Sequence, residues 1–247
     1  MGVTVSITNQ KGGVGKTTIT FNTAIGLAEQ GYKILAIDND PQGNLTSAFL
    51  EQPENLSADI FSIYSDETVI PIQIQENLFF IGATISLSRI SESDFDLVFK
   101  LKEYLEGIKQ NYDYILIDCL PSFGYLNLSA LNASDYVVIP VKPAPFALRG
   151  LKDLFDTIKK TQKRLNPTLK VAGIVLNLLE KTVLHGDIQK VLQEEYGDYI
   201  FNISLSKGVK FEESPAFNES IFKYAPQSKQ TQQFNQFLRE FLVRIAL

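Results

Sequence analysis

Residues 11–18 read Lys-Gly-Gly-Val-Gly-Lys-Thr-Thr, and they stand between the apolar run Val3–Ile7 and a helix-forming stretch from Thr18 to Gln30. A strand, a glycine-rich turn and a helix in that order form a phosphate cradle. Gly12, Gly13 and Gly15 let the backbone curl until several N–H groups, that of Val14 among them, converge on the nucleotide, and the helix adds its positive N-terminal end. Lys16 is spaced to reach the β- and γ-phosphates of a nucleotide, Thr17 to place its hydroxyl on Mg²⁺, and Thr18 to continue the cradle into the helix. The common pattern G-x-x-x-x-G-K-[ST] would put glycine at position 10. This chain has Gln10 there, and a second lysine, Lys11, heads the loop.

Such a loop needs a strand behind it, and the rest of the chain supplies more. Apolar, β-branched runs recur at Val3–Thr8, Lys33–Asp38, Leu78–Ile81, Tyr114–Asp118, Tyr136–Val141, Val171–Leu176 and Ile200–Leu205. Helical patterns fall between most of them, at Thr18–Gln30, Asp94–Gln110, Ala147–Leu165, His185–Tyr196 and Thr231–Ala246. Near-continuous apolar strands alternating with helices predict an α/β fold: a single doubly wound, mostly parallel sheet with helices on both faces. No internal repeat or linker divides residues 1–247, so one domain is expected. Residues 52–77 have the least regular pattern and are expected to form a short helix and surface loops.

In sheets of this kind ligands bind beyond the carboxyl ends of the strands. Two runs end there in aspartate, as Ile37-Asp38-Asn39-Asp40-Pro41-Gln42 and as Ile117-Asp118-Cys119-Leu120-Pro121. Carboxylates so placed can hold Mg²⁺ through water or orient an attacking water. Taken singly, each aspartate is equally a helix N-cap.

Composition removes other classes. One cysteine, Cys119, and one histidine, His185, exclude Cys/His zinc sites and disulfide frameworks. Cys119 reads as a small packing residue. No charged-then-apolar leader opens the sequence, and no apolar run approaches the roughly 18 residues of a membrane span, so a cytoplasmic protein is expected. The net charge of −5 gives no overall nucleic-acid signature, and any DNA contact must be local.

The loop K-G-G-x-G-K-T-T resembles the deviant Walker A box of the ParA and MinD group of P-loop ATPases. Asp38-x-Asp40-Pro41-Gln42 is similar to that group's D-x-D-P-[QA] box, and Ile115–Asp118 to its Walker B strand. Val137–Pro143, Val175-Leu176-Asn177, Phe211–Pro215 and Tyr224–Lys229 resemble further segments in order, so the likeness covers nearly the whole chain. It implies ATP or ADP with Mg²⁺ as cofactors and an ATP-sandwich homodimer. Lys11 would reach the partner's nucleotide, though by the residues alone it could equally lend charge to its own phosphates. Asp40 would position the hydrolytic water, Asp38 and Asp118 would serve the magnesium shell beside Thr17, and Asn177 would contact adenine. The group's D-x-P-P here reads Asp118-Cys119-Leu120-Pro121, with leucine in place of the first proline.

The closest likeness is to small Soj-like ParA ATPases, with McdA-type positioning ATPases as an alternative. Either implies non-specific DNA binding on the nucleoid and a ParB-like or McdB-like adaptor that stimulates hydrolysis. Residues 142–181 hold nine basic residues, Lys181 among them, against three acidic ones. Lys207 and Lys210 stand where relatives often carry arginines. The cations Lys159, Lys160, Lys163 and Arg164 are equally the solvated face of an amphipathic helix. A MinD-like membrane reading would use Phe234, Phe237, Leu238, Phe241, Leu242 and Ile245 as an interfacial face. A helix docked on the sheet accounts for the same spacing.

Overall fold

The computed structural model describes residues 2–90, 94–122 and 124–246. Among these residues seven strands form one sheet: β1 (Val3–Ile7), β2 (Ile34–Asn39), β3 (Ile72–Gln75), β4 (Leu78–Ile81), β5 (Tyr114–Cys119), β6 (Tyr136–Val141) and β7 (Lys170–Leu176). Their order is β3-β4-β2-β5-β1-β6-β7, parallel except for β3. The path moves outward from β1 to β2 on one side and returns past β5 to β6 on the other. The carboxyl ends of β1 and β5 therefore flank the switch point, where a crevice opens.

Among the described residues ten α-helices cover the sheet: α1 (Lys16–Glu29), α2 (Asn44–Phe49), α3 (Ile60–Tyr64), α4 (Leu97–Ile108), α5 (Tyr125–Ala133), α6 (Ala147–Arg164), α7 (Val183–Tyr196), α8 (Lys210–Ala216), α9 (Ile221–Tyr224) and α10 (Lys229–Ile245). Side-chain alternation in the strands divides the core between the two faces. Ile34 and Ala36 of β2 pack with Phe21 of α1, Phe49 of α2 and the phenylalanines of α10. Leu35 and Ile37 pack on the other side with Ile63 of α3, Leu101 of α4 and Leu126 of α5. Val137 and Ile139 of β6 meet Leu151, Leu154 and Ile158 of α6. Among the described residues no helix is long and apolar enough to cross a membrane.

Two expectations need correction. Residues 52–77 contain not only the helix α3 but also the strand β3, antiparallel to β4 at the sheet edge. Its Ile72-Gln73-Ile74-Gln75 alternation, half-buried against exposed, was the available signal. Ile200–Leu205 is not a strand. It makes only isolated bridges to the β7 region, Ile174 with Ile200 and Leu179 with Ser206. The reason lies in α10: Glu240 accepts the backbone N–H groups of Asn202 and Ile203, and the Arg244 guanidinium donates to the carbonyls of Ala172, Tyr199 and Ile200. Side chains replace a ladder there. The docked reading of the C-terminal helix holds, and the interfacial one does not: Phe234, Phe237, Leu238, Phe241 and Ile245 of α10 are all buried on the sheet and Leu242 is half-buried.

Candidate nucleotide site

Gly15 explains why the loop after β1 must be glycine-rich. It has φ +90°, in the left-handed region, and a Cβ there would lie 2.1 Å from Asn177 Nδ2. The Asn177 amide uses that space to donate to the Val14 carbonyl at 2.8 Å, which ties the end of β7 to the loop. Gly13 also has a positive φ, +68°. Helix α1 starts directly at Lys16, two residues before the sequence-based boundary, so its free N–H groups face the loop.

Lys16 is buried, and its Nζ makes one long hydrogen bond, 3.4 Å, to the Lys11 carbonyl. Burial pushes its ammonium pKa down, while the charges of Asp118, Cys119 and Asp40 oppose that shift. Among the described residues no carboxylate forms an ion pair with it. A buried ammonium so poorly partnered is fitted to an anion, and a phosphate group supplies one. Lys11, by contrast, is exposed. Its N–H donates to Asn9 Oδ1 at 2.9 Å, and its Nζ donates to the Pro145 carbonyl at 3.1 Å.

The two strand-end aspartates sit in register on adjacent strands, Asp38 beside Asp118. Thr17 Oγ1 donates to Asp118 Oδ2 at 2.7 Å, and Thr20 Oγ1 lies 3.4 Å from Asp118 Oδ1. A hydroxyl and a carboxylate so close form a hard-oxygen pair of the kind Mg²⁺ takes. Asp38 is engaged differently. Its Oδ2 accepts from both the N–H and the hydroxyl of Thr46 at 2.8 Å, and its Oδ1 accepts from the Asp40 N–H at 3.1 Å. Burial raises the Asp38 carboxyl to about 7, against the lowering effect of those hydrogen bonds. Asp118 is also pushed well up, first by burial and then by the charge of Asp38. Asp40 caps a tight turn, accepting from Gln42 N–H at 2.9 Å, and lines the open crevice. Cys119 is buried, and burial pushes its thiol up to about 12, the environment of an inert packing residue.

These groups surround a cavity of about 470 Å³ lined by Gly12, Gly13, Gly15, Lys16, Thr17 and Thr18 on one side and by Asp40, Gln42 and Asn44 on another. Phe21, Ala48, Pro121 and Pro215 complete it. Among the sequence candidates, Lys11, Val14, Asn177, Asp38 and Asp118 are not part of that lining: Lys11 adjoins Gly12 in the chain, Asn177 packs against Gly15, Asp38 accepts from the Asp40 N–H, and Asp118 accepts from Thr17. Sequence reasoning missed Thr46, Asn9 and Asn127, which hold the site from behind. Their only signal was a polar residue inside an apolar pattern. Lys181, Lys207 and Lys210 lie apart from the cavity, exposed; Lys207 pairs with Glu180 and Lys210 with Glu213, each at 3.4 Å. On α6 the cations Lys159, Lys160, Lys163 and Arg164 are exposed opposite a buried Leu151-Leu154-Ile158 stripe, the expected amphipathic division.

A glycine loop at a sheet switch point, with a buried lysine and a threonine–aspartate pair at its lip, defines a P-loop nucleotide-binding protein. Comparison with known proteins gives the family. Residues 2–171 match the family model described as an AAA domain. The chain is 38% identical over 240 residues to the sporulation initiation inhibitor protein Soj of Bacillus subtilis, covering 93% of this chain and 94% of that one. It is 36% identical over 254 residues to the chromosome-partitioning ATPase Soj of Treponema pallidum, covering 99% and 98%. A plasmid partition protein of Borrelia burgdorferi bound to AMPPNP superposes with a TM-score of 0.86 at 27% identity, covering 99% and 100%. The chain belongs to the Soj/ParA family of P-loop ATPases.

Proposed function

We propose that this chain is a ParA-type ATPase whose single domain forms an ATP-sandwich dimer, binds DNA without sequence preference, and segregates or positions a cargo. The observation that carries this reading is the contrast between the two loop lysines. Lys16 is buried, lines the cavity and serves its own nucleotide, whereas Lys11, next in the chain to the lining residue Gly12, is exposed with one carbonyl to hold its ammonium. A cation left at the mouth of a phosphate site is available to a second copy's nucleotide.

ATP or ADP fits the cavity with its phosphates on Gly12–Thr18 and Lys16 and its base toward Asn177. Thr17 and Asp118 are the residues that would hold Mg²⁺, directly or through water, and the ion would neutralise charge that develops on the phosphates. Asp40, at the cavity wall, is the residue suited to hold a water for attack. Asp38 acts with Thr46 to fix the Asp40–Gly43 turn, and through Asp118 it belongs to the outer magnesium shell. Lys181, Lys207 and Lys210, with the exposed cations of α6, are the DNA candidates; the cargo adaptor is a ParB-like or McdB-like protein. The protein then works in the cytoplasm on the nucleoid surface.

The test is binding to random-sequence duplex DNA with ATP, ADP or no nucleotide across a salt series. ATP-selective binding that weakens steeply with salt and ignores sequence is the expected result. ATP-dependent dimers that bind no DNA at any salt would overturn the nucleoid reading.

A further inference from the structure

Three loops leave the sheet at neighbouring strand ends around the cavity: the phosphate loop after β1, the Asp40–Gly43 turn after β2, and residues 120–122 after β5. All three are tied to the first turn of α5. Asn127 is 1% exposed. Its Oδ1 accepts from Thr8 Oγ1 at 3.1 Å, and its Nδ2 donates to the Ser122 carbonyl at 2.7 Å. Thr8 is the root of the phosphate loop. Ser122 directly follows Pro121, which lines the cavity. Next to Asn127, the Leu126 carbonyl accepts from Asn39 Nδ2 at 2.9 Å, and Asn39 Oδ1 in turn accepts from the Tyr64 hydroxyl at 3.0 Å.

A buried amide is often only a piece of core. Asn132, on the same helix and equally buried, supplies the comparison: its Nδ2 donates to the Val98 carbonyl at 3.1 Å, on α4 and away from the cavity. Asn127 differs in what it joins. One side chain bridges the loop that carries Lys16 and Thr17 to the loop that follows Asp118 and Cys119.

We propose that Asn127 is a positioning residue for ATP hydrolysis, holding the loop after β5 in register with the phosphate loop so that the two halves of the site move as one. It touches no nucleotide and acts through Thr8 and Ser122. Removing its amide lets the loop after β5 shift relative to Lys16, and displacements of about 1 Å cost on the order of 10²-fold in rate. Binding, which rests on the glycine loop and Lys16, changes little. This rests on hydrolysis by the wild-type chain, and a wild type that binds ATP without cleaving it would fail that reading separately.

The experiment is single-turnover ATP hydrolysis alongside the ATP dissociation constant for Asn127→Ala, Asn127→Asp, Thr8→Val and the control Asn132→Ala, with thermal unfolding of each. Asn127→Asp keeps the shape and the acceptor for Thr8 but sets an oxygen against the Ser122 carbonyl, so it reports on the bridge if the alanine variant folds poorly. Expected is a 10- to 100-fold slower cleavage step, roughly, for the Asn127 variants with ATP affinity within about threefold of wild type. Thr8→Val slows the same step, and the Thr8→Val/Asn127→Ala double variant is no slower than the slower single, since both act on one bridge. Asn132→Ala loses stability without losing rate. Cleavage within about twofold of wild type in both Asn127 variants, or equal slowing by Asn132→Ala, overturns the proposal.

Discussion

Thr17 donates its hydroxyl to Asp118 Oδ2 at 2.7 Å across 101 residues of sequence, and this bond joins the start of α1 to the end of β5. It brings the two oxygens best suited to magnesium to a single point. Thr17→Ala removes one of them without touching the glycine cradle. The expected result is a loss of about 10- to 100-fold in the Mg²⁺ dependence of ATP binding, with affinity measured in EDTA unchanged. Titration of ATP by calorimetry with and without Mg²⁺ checks this, and an undiminished magnesium effect would remove Thr17 from the metal's shell.

Lys11 is held by the Pro145 carbonyl and by Asn9, both within its own chain. If its charge serves a second copy, Lys11→Ala remains a monomer with ATP while still binding nucleotide. Light scattering on gel-filtered protein reads the mass directly. An ATP dimer of undiminished affinity in the variant would refute the trans role.

Burial raises the Asp38 carboxyl from its ordinary 3.8 to about 7. Between those values the folded protein keeps a proton that the unfolded chain has released. This carboxyl therefore favours folding most at the acid end, and that contribution falls as pH rises from about 4 to about 7. The nucleotide-free protein is expected to melt at progressively lower temperature across that window than it would with this titration absent. Asp38→Asn, compared at the same pH values, shows a shallower decline. Parallel melting curves in the two proteins would mean that Asp38 ionises normally.

Arg244 donates to three backbone carbonyls that no strand partner serves, pairs with Glu240 at 2.9 Å, and lies over the Phe201 ring at 4.4 Å. Arg244→Ala leaves those carbonyls without their donors, and a loss of about 2 kcal/mol in unfolding free energy is expected. Urea titration measures it. None of these residues lines the nucleotide cavity, so ATP affinity is expected to stay at the wild-type value. A stability within about 0.5 kcal/mol of wild type would show that water serves the segment equally well.

The cradle was legible because its parts are contiguous: Gly12–Thr18 carries the loop and the helix start in seven residues. Asp38, Asp40 and Asp118 were legible because each ends an apolar run, and strand ends in parallel sheets face the ligand. Strand β3 was within reach, since Ile72–Gln75 alternates cleanly and the equally long run Leu78–Ile81 follows two residues later, yet only two of its four residues are apolar and it sits in a polar stretch. The Ile200–Leu205 strand was mispredicted for the opposite reason. Its composition suits a strand, but Glu240 and Arg244, some forty residues on, capture its backbone groups.

The sequence alone therefore determined the parallel sheet, the phosphate loop, the identity of the charged groups around it, and the apolar face of α10. These depend on local pattern, on periodicity of two or 3.6 residues and on backbone freedom at glycine. Only the tertiary structure decided that Asp38 is gripped by Thr46, that Lys16 is buried while Lys11 is not, that α10 faces the sheet, and that Asn127 bridges two loops. Each of those rests on a contact between residues distant in the chain, and a polar side chain's partner across a fold leaves no periodic trace in the sequence that encodes it.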